Sequence, residues 1–121
     1  MVSILIVDDE LSITLALSLI LGDEGYNVVV ANNGATALSK LDEFKPDLIL
    51  TDFMMPRMNG AELAQAVRQS EQHASVKILM MSGVLEESLP PDASAFYDAF
   101  LRKPFELDTL LNQIDGLLCS S

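Results

Sequence analysis

Five short apolar runs, each separated from the next by a stretch of helical periodicity, constrain this chain more than any other feature. The runs are SILIV (3–7), NVVVA (27–31), DLILT (47–51), VKILMM (76–81) and AFLR (99–102). Each is continuously apolar rather than alternating, which is how strands covered on both faces read. Helical patterns lie near 11–23, 35–44, 61–72 and 105–118. The last is the clearest, with Leu107, Leu110, Leu111, Ile114, Leu117 and Leu118 on one stripe. The third opens on Asn59 with Glu62 three residues later, the spacing of a capping box. Strands alternating with helices predict an α/β fold, a doubly wound five-stranded parallel sheet. A chain of 121 residues is long enough for one such domain, here 1–121.

Ligands of open parallel sheets bind at the carboxyl ends of the strands. The first run ends in Asp8, Asp9 and Glu10, the third in Asp52, the fourth in Ser82-Gly83 and the fifth in Lys103-Pro104. Taken singly, each has an ordinary explanation. Acidic residues favour helix starts, Ser-Gly marks a turn, and Lys-Pro marks a strand end. A parallel sheet brings all of them to one edge. An unpaired carboxylate at the end of a buried strand costs several kcal/mol or changes its pKa, so Asp52 requires partners.

Clustered carboxylates repel unless a cation joins them. An all-oxygen set suits a hard ion, Mg²⁺ before Mn²⁺. Lys103 beside such a site suits a phosphoryl group, and Asp52 there can act as a nucleophile. No Cys/His cluster competes. His73, the single histidine, falls in a polar helical stretch and is expected to face solvent. Cys119, the single cysteine, reads as a helix-end residue and cannot form an internal disulfide. A reducing cytoplasm is the simplest home for such a chain.

The net charge of −11 opposes direct binding to nucleic acid or an anionic membrane, since both need basic patches. The opening MVSILIVDDE has no basic region and too short an apolar run for a signal peptide. LSITLALSLIL falls short of the roughly 20 residues that span a bilayer.

From Ile4 to about Leu118, the chain closely resembles the receiver domain of two-component response regulators. VDDE, TDFMMPRMNG, MSG and LRKPF stand in that family's order and spacing. The resemblance implies a flavodoxin-like fold with strand order 2-1-3-4-5. It makes Asp52 the phosphoacceptor, fed by a histidine kinase or a histidine phosphotransfer protein, and the phosphorylated chain a switch for an output domain or protein. Asp9 would bind Mg²⁺ directly, Asp8 through water, and the backbone carbonyl of Met54 would complete the protein ligands with Asp52. Lys103 would contact the phosphoryl group, Ser82 would donate to it, and the Lys103-Pro104 bond would be cis. Ser82 and Phe100 would form the switch pair. Met54 and Val84 would flank the path of the water that hydrolyses the product. Catalysis of its own aspartyl phosphorylation and slow dephosphorylation, not dedicated enzyme turnover, is the implied chemistry.

The segment VLEESLPPDASAFYDAF departs from the family. Pro90-Pro91 removes two backbone donors and predicts a shortened or irregular helix between strands four and five. Phe96-Tyr97 stands where a small pair is usual. The first helix is apolar nearly all round, which leaves open whether its outer side docks a partner helix or is buried within the domain. Other readings fit less well. A haloacid-dehalogenase-type hydrolase needs an acid two residues after the nucleophile, where Met54 stands. A flavodoxin-like cofactor carrier would have a Ser/Thr/Gly-rich phosphate loop in place of DDE. A degenerate docking module would not need the full residue set.

Overall fold

The structure, a computed structural model, describes residues 2–119. The apolar runs become β1 (Ser3–Val7), β2 (Asn27–Ala31), β3 (Leu48–Asp52), β4 (Lys77–Ser82) and β5 (Ala99–Arg102). They form one parallel sheet in the order β2-β1-β3-β4-β5. Between and after them run α1 (Leu11–Asp23), α2 (Gly34–Phe44), α3 (Gly60–Gln69) and α4 (Leu107–Cys119). Because strand side chains alternate between faces, the sheet feeds two cores. Leu5, Ile49, Ile78 and Met80 pack with α2 and α3 through Leu41 and Leu63. Ile6, Leu50, Leu79 and Met81 pack with α1 and α4 through Leu21 and Ile114. Each such side chain contributes about 1.5–3 kcal/mol of burial. The chain leaves β1 toward β2 on one side and returns to β3 on the other. That topological switch opens a crevice beyond the carboxyl ends of β1 and β3.

Local structure corrects two expectations. The third helix stops at Gln69, not residue 72, because Ser70 turns extended and its N–H bonds the Val67 carbonyl. The turn that follows folds His73 inward. It is buried, and its Nε2 lies 2.9 Å from Asp42 Oδ1 on α2, so it is neither helical nor solvent-facing. In α4 the stripe begins to bury only at Leu110, since Leu107 in the first turn is exposed. Cys119 sits exposed at the end of α4.

Exposure answers one half of the open question about α1: its outer side is not buried within the domain. Thr14, Leu17 and Leu21 face the sheet, while Leu11, Leu15 and Leu19 are 70%, 53% and 72% exposed. The connection from β4 to β5 has two 3-10 turns, Glu86–Ser88 and Ala93–Ala95, in place of a regular helix. Leu89 and Ala93 anchor it in the core. Arg68 holds its far end. The guanidinium donates to the carbonyls of Phe96, Ala74 and Val76, and pairs with Asp98 at 2.7 Å. No helix among the described residues is long and apolar enough to cross a membrane.

Candidate phosphoacceptor and metal site

Asp8 continues the β1 ladder by one residue, its N–H donating to the Ala31 carbonyl. Its side chain is fully buried and both oxygens are engaged. Oδ1 accepts from the Glu10 N–H at 3.0 Å, and Oδ2 from Lys103 Nζ at 3.0 Å. Asp52 is the last residue of β3 and is also buried, with Oδ1 3.2 Å from the same ammonium. Lys103 extends β5 through its own N–H to the Ser82 carbonyl, and the peptide bond to Pro104 is cis. Asp9 is exposed. Carboxylate oxygens of Asp8, Asp9 and Asp52 lie within 4.8 Å of one another.

Two of these three carboxylates, Asp8 and Asp52, share one ammonium, and the charges respond accordingly. Burial pushes the Asp52 carboxyl above its ordinary range; the Asp8 charge adds to this, Lys103 opposes it, and Asp9 raises it further. Burial alone would lower the Lys103 ammonium. The hydrogen bond to Asp8 and the charges of Asp52 and Asp8 outweigh it, so Lys103 stays charged above its usual limit. The site therefore lacks positive charge and presents only oxygen ligands. That donor set fits Mg²⁺, which takes one or two carboxylates and keeps several other positions for water or phosphate oxygen.

The other residues singled out in the sequence are placed less centrally. Ser82 is buried at the end of β4, one step beyond the Asp52–Met81 register pair. Its hydroxyl accepts from the Val84 N–H at 3.2 Å. Phe100 lies opposite Met80, two residues before Ser82, half-buried against the α2/α3 core and not in the site. Met54 follows β3 with its side chain 62% exposed, and Val84 follows β4 with 40% exposed.

Sequence reading missed Gly60. Its N–H donates to the Phe53 carbonyl at 2.8 Å, drawing the start of α3 against the strand end. A Cβ there would collide with the Asp52 carbonyl oxygen and lie 2.7 Å from Met80 Sδ. The available signal was a glycine directly after the Asn59 cap, where a helix gains nothing from it.

A model of the family described as "Response regulator receiver domain" matches residues 4–115. The Brucella abortus "Response regulator receiver protein CpdR" is 38% identical over 119 residues, covering 98% of each chain. The Vibrio cholerae chemotaxis response regulator CheY4 superposes with a TM-score of 0.90 at 35% identity, over 98% of this chain and 99% of that one. TrrA of Thermotoga maritima, solved in complex with Mg(2+)-BeF, gives 0.87 at 32% identity over 98% and 100%. The chain spans about half the length of the transcriptional regulators it also matches, 45% and 48% of two of them. Order of strands, motif spacing and these likenesses agree that the chain belongs to the response regulator receiver domain family of two-component systems.

Proposed function

We propose that Asp52 accepts a phosphoryl group from a phosphohistidine donor, a kinase or a phosphotransfer protein, and that the product switches an output partner. The observation that carries this is Asp52 itself: a buried carboxylate at the end of a central strand, 3.2 Å from Lys103 Nζ and grouped with two further carboxylates. An Asp52 oxygen forms the new O–P bond as the donor's P–N bond breaks, and the imidazole keeps the electron pair. Asp8, Asp9, Asp52 and the Met54 carbonyl would hold Mg²⁺, which when bound supplies charge neutralisation at the phosphoryl oxygens. Lys103 neutralises the same developing charge from the other side, and the Ser82 hydroxyl turns to donate to the transferred group. The exposed leucines of α1 offer an apolar surface beside the acidic edge on which a helical donor can dock.

The test is incubation of wild type and Asp52→Asn with Mg²⁺ and acetyl phosphate, read by intact mass. Wild type gains one phosphoryl group and the variant none. Equal uptake by both would place the acceptor elsewhere.

A further inference from the structure

Phe100, at the position of the family's aromatic switch residue, has no hydroxyl, yet a tyrosine stands against it. The rings of Tyr97 and Phe100 are 6.2 Å apart between centroids and inclined at 42°, within the range of a tilted aromatic pair. The Tyr97 hydroxyl donates to Glu86 Oε2. Glu86 belongs to the stretch that leaves the site. Ser82 is buried and accepts from the Val84 N–H, Val84 and Leu85 are exposed, and Glu86 opens the first 3-10 turn. The next buried anchor is Leu89. Residues 83–88 are thus tied to the protein at Ser82, at Leu89 and through the Glu86 carboxylate on Tyr97.

We propose that the Tyr97–Glu86 hydrogen bond is a latch that couples this stretch to Phe100 and opens when Asp52 is phosphorylated. The inference rests on the phosphoacceptor reading above. When the Ser82 hydroxyl turns toward a phosphoryl group on Asp52, it withdraws the acceptor that bends Val84 back. Residues 84–86 then move, with few contacts to resist them. Glu86 leaves the Tyr97 hydroxyl, and the Tyr97 ring, no longer held, changes its contact with Phe100. Tyr97 is suited to the task because its proton is secure. Burial, then the bond to Glu86 and its charge, raise the phenol above its ordinary range. The latch therefore answers to movement of the chain and not to pH near neutrality. It also gives the irregular connection a role that a regular helix would not need, since two separate 3-10 turns can shift relative to one another.

The test uses ¹⁹F NMR of the whole chain labelled with 3-fluorotyrosine. The protein has two tyrosines, so Tyr26→Phe assigns the Tyr97 signal. Mg²⁺ and beryllofluoride serve as the phosphoryl mimic, and fluorines of bound beryllofluoride report occupancy in the same spectrum. The Tyr97 signal moves at full occupancy in wild type. In Glu86→Ala it stands near the liganded position before any addition, although beryllofluoride still binds. Phe100, followed with 4-fluorophenylalanine and assigned by Phe100→Leu, responds in wild type and loses that response in Glu86→Ala. A Tyr97 signal unmoved at full occupancy overturns the latch and leaves Asp52 as acceptor. So does a Phe100 response in Glu86→Ala equal to wild type. Absence of bound beryllofluoride in wild type overturns the phosphoacceptor reading, and the latch with it.

Discussion

Asp52 shows how one buried charge sets the behaviour of its surroundings. Its folded-state pKa is raised, first by burial and next by Asp8. A raised carboxyl pKa means the native state holds the proton more tightly than the unfolded chain does. Stability of the metal-free protein is therefore expected to fall as pH rises from about 4, the unfolded carboxylate value, through the folded one. Lys103 has the opposite place on the scale. Its raised pKa contributes stability that is fully present below about 10.5 and lost at higher pH. In EDTA, Asp52→Asn flattens the acid-side decline. At pH 7 it melts about 4 °C higher than wild type, the shift that about 1 kcal/mol produces in a domain near this size. Thermal melts across pH check this, and an Asn variant less stable than wild type at pH 7 would show that the Lys103 pair outweighs burial and repulsion. On the proposed role of Asp52, a second residue-scale effect concerns the lifetime of its phosphoryl group. The Met54 and Val84 side chains stand exposed after β3 and β4, and neither can orient or deprotonate a water. The product is expected to be long-lived for its family. Met54→Asn/Val84→Glu gives the attacking water a partner, a general-base effect on the order of tenfold or more. Decay of phosphoprotein after donor removal measures it, and a double mutant no faster than wild type would show that these two side chains do not set the rate.

At the scale of elements, the β4–β5 connection differs from everything around it. It has two 3-10 turns of three residues each, a Pro-Pro break and a largely exposed sequence, against the thirteen-residue α4. Amides at 86–96 are expected to exchange orders of magnitude faster than those in the middle of α4, since local opening needs little burial to be undone. Hydrogen exchange decides this, and equal protection would contradict it. The irregularity was legible because proline removes a donor and biases the residue before it. The strands were legible for a similar reason: a continuous apolar run has few alternatives to a doubly covered strand. The end of α3 was not legible. Glu71 and Gln72 continue a helix well by propensity, but Arg68 takes the Ala74 and Val76 carbonyls, and His73 folds onto Asp42. Those contacts join residues from separate elements, and no local pattern announces them. Gly60 and the Tyr97–Glu86 pair escaped notice for the same reason. Asp8, Asp52 and Lys103 were readable together only because the parallel topology maps strand ends to one edge.

For the whole molecule, the charge distribution would make a bound cation a structural ligand as well as a chemical one. The net charge is −11, and the carboxyl edge groups Asp8, Asp9 and Asp52, with the Lys103 ammonium on Asp8 and Asp52. Folding assembles that cluster, whereas the unfolded chain disperses it. A cation that binds the assembled carboxylates stabilises the native state by mass action, about 2.7 kcal/mol at 100 times its Kd. In a domain near this size that corresponds to roughly 10 °C. Asp9 separates this effect from general screening. It is the exposed member of the three, while Asp8 has both oxygens committed to Glu10 and Lys103. Asp9→Asn should therefore leave the fold intact and remove most of the Mg²⁺-dependent rise. Monovalent salt screens long-range repulsion in both proteins alike, so the melts are compared at matched ionic strength, with Mg²⁺ against NaCl. An equal Mg²⁺-dependent rise in wild type and Asp9→Asn would locate the bound ion away from this edge. A rise in wild type alone ties the stability of the whole sheet to the charge at the ends of β1 and β3.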